Sequence, residues 1–360
     1  MTKVLTVIGT RPQFIKAAAV SRAIQEHGGI KEVLLHTGQH YDDAMSDIFF
    51  REMHIPKPDY HFSINTSTHA TMTAQMLEGI EQAIIKERPD TILVYGDTNS
   101  TLAGALAASK LHMRVAHVEA GLRSFNMDMP EEVNRILTDR ISNQLFCPTE
   151  VAMQNLKNEG LATPDKVVVN TGDVMYDAAL YYAKLAAKYS EICNKLNLNK
   201  DSYLLTTFHR AENTDDRDRL ASIVQAINIL SKQHKIVLPL HPRTKKMLDQ
   251  YHLELNCTVI DPVGYFDMIS LIQNSQLVLT DSGGLQKEAY FFHKNCVILR
   301  DQTEWVELTT AGCSTIAGAK TENILNSVES MLNRTFHNGS VFYGNGYASE
   351  IICKHLATLK

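Results

Sequence analysis

Residues Val94 to Arg135 read VYGDTNSTLAGALAASKLHMRVAHVEAGLRSFNMDMPEEVNR and decide the fold class. Two apolar runs, Thr91–Tyr95 and Arg114–Val118, flank a small-residue helical pattern from Ser100 to Leu111, which is one strand–helix–strand crossover. Asp97 follows Gly96 at the end of the first strand, and Glu119 ends the second just before Ala120-Gly121. In open α/β sheets the carboxyl ends of strands border the ligand site, so both carboxylates are candidates for proton chemistry. Glu131 and Glu132 follow Pro130 at a helix start, and Glu131 and Arg135 fall four apart on one helix face. Each acid also has a plain role available, as a cap or a solvated first turn, but three of them gathering at strand ends favours chemistry.

Outward from this unit the alternation continues. Strand Val4–Ile8 ends in Gly9-Thr10-Arg11-Pro12, and a helix pattern follows from Gln13 to about Glu26. The turn is not G-x-G-x-x-G, which argues against a dinucleotide fingerprint, although Arg11 and Lys16 suit a phosphate. Strand Glu32–Thr37, the polar loop Gly38 to Asp43, helices Met45–Met53 and Thr68–Glu87, strand Gln144–Cys147, helix Glu150–Glu159 and strand Lys166–Asn170 complete a first half. A long helix, Val174–Leu196, marks the crossing to a second half with strands Tyr203–Phe208, Lys235–Leu240, Cys257–Ile260, Leu277–Thr280 and Cys296–Leu299, and a last helix at Ala348–Leu359. Alternating strands and helices imply parallel sheets covered on both faces. The expected partition is residues 1–172, 173–345, and a terminal helix 346–360 packing back on the first domain.

In the second half, Asp281-Ser282-Gly283-Gly284-Leu285-Gln286-Lys287-Glu288 follows a strand and opens a helix, where glycines let backbone N–H groups approach an anion and Glu288 lies placed for ribose hydroxyls. His209-Arg210 and His241-Pro242-Arg243 end two neighbouring strands, which makes both histidines functional candidates.

With 35 basic and 40 acidic residues in 360 the net charge is −5, which disfavours nucleic acid as a partner. Six scattered cysteines without a C-x-x-C pair read as reduced core residues of a cytoplasmic protein with no zinc site. No stretch has the length of an apolar membrane span, and the start lacks the layout of a signal peptide.

The blocks Gly9-Thr10-Arg11-Pro12, Gly96-Asp97-Thr98, His117 to Arg123, Pro130-Glu131-Glu132, His209-Arg210 and Asp281 to Gly284 resemble, in order and spacing, the non-hydrolysing UDP-N-acetylglucosamine 2-epimerase family. The resemblance implies two Rossmann-like domains of glycosyltransferase B type with a UDP-sugar in the cleft between them, a homodimer, and neither metal nor other cofactor. It implies Asp97, Glu119, Glu131 and His209 as catalytic groups. Arg11, Lys16, Arg135, His241, Ser282, Gly283, Gly284 and Glu288 follow as substrate and UDP contacts. The implied reaction inverts C2 by eliminating UDP and adding it back. Departures point to a branch: Gln13 stands where most members have an acid, and Trp305 stands for a UDP-contacting arginine. Met268 falls at a uracil-side phenylalanine, while Gln39-His40-Tyr41-Asp42 and Gln75 replace the bacterial allosteric residues. Gln13 to Lys16 and Thr303 to Leu308 resemble the branch acting on UDP-2,3-diacetamido-2,3-dideoxy-glucuronate for surface polysaccharide such as lipopolysaccharide. Neutral Gln13 is expected to spare that sugar's carboxylate from repulsion. The competing classes are a glycosyltransferase of the same fold and a nucleotide-sugar-binding protein without turnover.

Overall fold

In the computed structural model, residues 1–39, 57–64, 68–336 and 341–358 are described. Two compact units divide the chain: Met1–Ala178 together with the segment from Val341 onward, and Ala179–Ser340. Each is built on one all-parallel sheet, so the architecture is α/β with two Rossmann-like units of glycosyltransferase B type.

The first sheet has seven strands, β1 (Thr2–Ile8), β2 (Ile30–His36), β3 (Tyr60–His61), β4 (Thr91–Tyr95), β5 (Arg114–Val118), β6 (Gln144–Cys147) and β7 (Val167–Asn170), in the order β3-β2-β1-β4-β5-β6-β7. The second has β8 (Tyr203–Thr207), β9 (Lys235–Pro239), β10 (Thr258–Ile260), β11 (Leu277–Thr280), β12 (Cys296–Ile298) and β13 (Ser314–Ile316), in the order β10-β9-β8-β11-β12-β13. In both the chain starts in the middle, winds to one edge, and returns to wind the other way. The reversal falls between β1 and β4, and again between β8 and β11. At such a switch point the connecting helices leave on opposite faces and open a crevice beyond the strand ends.

The central strands are buried on both faces, which is why they read as continuous Val/Ile/Leu runs. Leu5, Val7, Val33, Leu35, Ile92, Val94 and Val115 join Met76, Ile80 and Ile84 of helix His69–Glu87 in one core cluster. Helix Asn99–Lys110 lies so close to the sheet that only small residues fit. A Cβ on Gly104 would come within 3.0 Å of Val94 Cγ1 and 3.4 Å of Val7 Cβ. Gly9, at the end of β1, is pressed against Ser100 and Thr37 in the same way. This tight layer fixes where β4 ends, and therefore where Asp97 begins.

Several expectations need correction. Val174–Leu196 is not one helix: it stops at Tyr189, and a short turn, Ile192–Lys195, follows. The Ser190 hydroxyl turns to the Asp267 carboxylate at 2.6 Å in the gap between them. Strands β3 and β13 were not expected, being two and three residues long. The expected helix Met45–Met53 lies outside the described residues. The segment after Val341 carries helix Ala348–Ala357, which packs on helix Arg11–His27 in the first unit. Asp177 accepts the Ala348 and Ser349 N–H groups and so caps this last helix.

Gly104→Val is expected to destabilise the first unit by about 1–3 kcal/mol through overpacking against Val7 and Val94. Urea unfolding reads the loss, and an unchanged midpoint would contradict the close helix–sheet layer.

Candidate functional site

The first unit's switch point carries two carboxylates, each with its own cation. Gly96 takes a left-handed turn (φ 63°) directly before Asp97, and Glu119 itself is left-handed (φ 73°). For a residue with a Cβ this conformation costs on the order of 1–2 kcal/mol, held by its surroundings. The N–H groups of Glu119 and Ala120 both donate to Phe146 O at 3.0 Å. Lys16 forms an ion pair with Glu119, and Arg135 forms one with Asp97. The two pairs are adjacent: a Cβ on Gly96 would lie 3.3 Å from Glu119 Oε2 and 3.5 Å from Lys16 Nζ.

Burial pushes the Asp97 carboxyl above its usual range, and the Glu119 charge adds to the rise, while Arg135 and Lys16 pull against it. An acid held high beside a second carboxylate is suited to taking and returning a proton. Arg135 also donates to Glu132 at 2.8 Å, so the expected Glu131–Arg135 partnership is replaced by Glu132. Glu132 faces inward because the Ser124 and Phe125 N–H groups donate to it at 3.0 and 2.9 Å. Burial opposes its charge, but those donors and Arg135 outweigh burial and hold Glu132 below the carboxylate norm. Glu131 is exposed at the start of helix Pro130–Ile141.

Gln13 is buried, and its amide is fully engaged inside the protein. Its Nε2 donates to Tyr95 O at 2.7 Å and to the Thr98 and Thr101 hydroxyls at 3.0 Å, and its Oε1 accepts from Gly9 N at 2.8 Å. Its amide thus serves a join between the ends of β1 and β4. The Arg11 side chain and residues His40–Asp42 lie outside the described set. Gln39 accepts from Ser100 N and Oγ at 3.1 and 2.7 Å.

Beneath these acids lies a network whose role the sequence did not announce. His117 is wholly buried on β5, with Nε2 2.7 Å from Gly96 O and Nδ1 2.7 Å from Asp139 Oδ1. Asp139 Oδ2 accepts from Gly121 N at 3.1 Å and from Arg123 at 2.7 Å. Arg123 then makes a two-pronged pair with Glu159 at 2.6 and 2.8 Å. A polar histidine inside the apolar run Arg114–Val118 was the available signal.

In the second unit, Asp281 at the end of β11 is wholly buried and accepts from His209 N, Arg210 N and Asn213 Nδ2 at 2.9–3.1 Å. This fastens the end of β8 to the turn that follows β11. The His209 ring stands 3.7 Å from Asp281 through Nδ1 and stacks on His241 with ring centres 5.0 Å apart. Burial, with the nearby His209 and Arg243, lowers the His241 pKa below its usual value, which keeps that ring neutral near pH 7. Ser282, Gly283 and Gly284 open helix Gly283–Phe291, with Glu288 buried one turn in. Neither glycine has a positive φ, and among the described residues a Cβ at Gly283 or Gly284 meets nothing closer than 3.6 Å. Their smallness is therefore not required by the chain's own packing, and it leaves the backbone N–H groups approachable by an anion. Trp305, where an arginine was expected to contact UDP, donates to Gly283 O at 2.9 Å and lies under the Lys287 ammonium. Met268 packs at the edge of this unit's core.

Among the described residues no His/Cys/Asp/Glu cluster has the makings of a metal site, and no helix is long and apolar enough to cross a membrane.

A family model described as UDP-N-acetylglucosamine 2-epimerase matches residues 22–357. The UDP-2,3-diacetamido-2,3-dideoxy-D-glucuronate 2-epimerase of Pseudomonas aeruginosa is 55% identical over 358 residues, covering 99% of this chain and 100% of that one. The UDP-N-acetylglucosamine 2-epimerase of Methanocaldococcus jannaschii is 43% identical, with 98% of each chain covered. A crystal structure of the epimerase from that organism, in complex with UDP-GlcNAc and UDP, superposes with a TM-score of 0.88 at 42% identity, covering 99% of each chain.

Two outcomes follow from the first unit. Because the folded Asp97 value lies above its ordinary one, its contribution to stability is present below the ordinary value and is lost as pH rises through the raised one. Arg135→Met removes the strongest opposing pull, so carbon-13 titration of the Asp97 carboxyl should move further upward; a fixed or lowered value would contradict the pairing. Gln13→Glu sets a carboxylate against Tyr95 O and should cost roughly 1–3 kcal/mol at neutral pH by urea unfolding, with part of the loss recovered in acid when a protonated carboxyl donates again.

Proposed function

The chain belongs to the UDP-N-acetylglucosamine 2-epimerase family, and from that premise we propose how its two switch points divide the work on a UDP-2-acetamido sugar. The enzyme is an isomerase, a UDP-sugar 2-epimerase. The observation that carries the division is the pair Asp97 and Glu119: two carboxylates at neighbouring strand ends, each beside its own cation.

In this reading one carboxylate group removes the C2 proton as the C1–O bond to UDP breaks, leaving a glycal. UDP then adds back to C1, and C2 receives a proton on the opposite face from another group. Asp97, Glu119 and the exposed Glu131 are the candidates for this traffic, and Lys16 and Arg135 tune it. The open glycines after Ser282, at a helix N-terminus, hold the departing pyrophosphate, and Glu288 holds the ribose. His209 and His241 stand beside that turn, and His209 supplies a further catalytic group. Arg11 completes the substrate contacts.

For the sugar itself we favour UDP-2,3-diacetamido-2,3-dideoxy-glucuronate, en route to surface polysaccharide such as lipopolysaccharide. The support is the level of identity to the Pseudomonas aeruginosa enzyme against that to the archaeal UDP-N-acetylglucosamine enzyme, together with Trp305 at the nucleotide turn. A homodimer in the cytoplasm, working without metal or nicotinamide, belongs to the same reading.

Epimerisation run in heavy water should place deuterium at C2 of product and of recovered substrate, read by proton NMR. Retention of the original hydrogen at C2 would point to a mechanism other than removal by one group and return by another. Catalytic efficiency on the diacetamido glucuronate should exceed that on UDP-N-acetylglucosamine at least ~10-fold, equivalent to ~1.4 kcal/mol of transition-state binding. Equal or reversed preference would refute the branch and leave the epimerase untouched. Amide replacements of Asp97, Glu119 or Glu131 should each lower turnover by ~10²–10⁴ if that residue is an acid–base group.

A further inference from the structure

The two acids of the first unit do not leave the sheet independently, because one buried side-chain pair holds the backbone beside both. Gly96 precedes Asp97, and its carbonyl receives His117 Nε2. Gly121 lies two residues after Glu119, and its N–H donates to Asp139, the partner of His117 Nδ1. Both turns use left-handed backbone, at Gly96, Glu119 and Gly121; the glycines adopt it freely, whereas Glu119 needs its surroundings to hold it.

The protonation of the pair follows from its partners. A carbonyl oxygen only accepts, so Nε2 carries a proton. Burial works against the charge of Asp139, but His117 and Arg123 outweigh it and keep that carboxyl below its usual range, hence ionised. Both ring nitrogens are thus engaged, one toward Gly96 O and one toward Asp139 Oδ1, and the wholly buried ring has no route to a substrate.

We propose that His117 and Asp139 are a positioning pair that sets the separation of Asp97 and Glu119, with Arg123 and Glu159 bracing it from behind. The proposal rests on the reading of Asp97 and Glu119 as the acid–base groups. A reaction that takes a proton from one face of a carbon and returns it to the other depends on two groups held at fixed spacing, and small displacements are costly.

Two substitutions divide the pair. His117→Asn keeps a donor toward Asp139 and releases Gly96; His117→Gln keeps a donor toward Gly96 and releases Asp139. Both put a neutral amide in place of the ring, so a difference between them reports position. The Asp97 carboxyl, which also faces Arg135, Glu119 and Lys16, should titrate further from wild type in His117→Asn than in His117→Gln. This readout needs no turnover, so it stands even if wild type fails to epimerise either UDP-sugar, a failure that would sink the functional reading alone. With turnover, kcat should fall at least ~10-fold in both variants and in Asp139→Asn, while KM and UDP affinity stay within about 3-fold. The double variant His117→Gln/Asp139→Asn should lose no more than Asp139→Asn alone, since one pair is already broken. Folded variants with wild-type kcat overturn the proposal, as do identical Asp97 titrations in the two His117 variants. Failure of all three single variants to fold, or loss of UDP affinity in step with kcat, would show a purely structural role and overturn it equally.

Discussion

Two carboxylates at the ends of adjacent strands repel each other, and partial burial makes each charge more costly. The structure meets this constraint by giving each acid a cation from a different helix: Lys16 from Arg11–His27 for Glu119, and Arg135 from Pro130–Ile141 for Asp97. The surrounding architecture follows from it. Helix Pro130–Ile141 must approach the strand ends closely enough to deliver Arg135 on one turn and Asp139 on the next. The same helix delivers Glu132, which turns the Arg135 guanidinium toward Asp97 and gathers the Ser124 and Phe125 N–H groups. Buried ion pairs of this kind contribute little net stability, because desolvation offsets much of the attraction. Their value lies in fixing where charge sits.

The second unit solves a different problem with the same topology. There the buried carboxylate, Asp281, accepts from the N–H groups of His209 and Arg210 and from the Asn213 amide. The negative charge is spent on organising backbone, and the turn after it is left bare at Gly283 and Gly284. One switch point thus exposes acids braced by bases, while the other hides an acid and presents main-chain N–H groups. The first arrangement suits proton transfer and the second suits an anion, although both sheets have the same winding.

Much of this is legible in the amino-acid sequence. Strands at Thr91–Tyr95, Arg114–Val118, Gln144–Cys147 and Leu277–Thr280 fall where their apolar runs fall, because a strand buried on both faces has no alternation to blur its ends. Strands β3 and β13 are too short to leave a period, and their pairing comes from neighbours already in place. Periodicity could place Glu131 and Glu132 at a helix start but not tell which would turn inward; the Ser124 and Phe125 N–H groups decide it, and they sit in a loop without pattern. The neutrality of Gln13 is visible in the sequence, but the engagement of its amide with Tyr95, Thr98, Thr101 and Gly9 is not. Long-range partners of this kind leave no mark in local sequence.

The first unit is assembled from both ends of the described chain, with Asp177 capping a helix that begins at Ala348. The second unit is a single continuous stretch. On a ribosome the two therefore mature in the opposite order to their synthesis. At ~5–20 residues per second, the second unit's stretch occupies roughly 10–30 s, during which the earlier sheet stands without its closing helix. Helix Arg11–His27, the element that carries Lys16, is the surface left uncovered in that interval. The braced acids are thus among the last features of the nascent protein to acquire their final support.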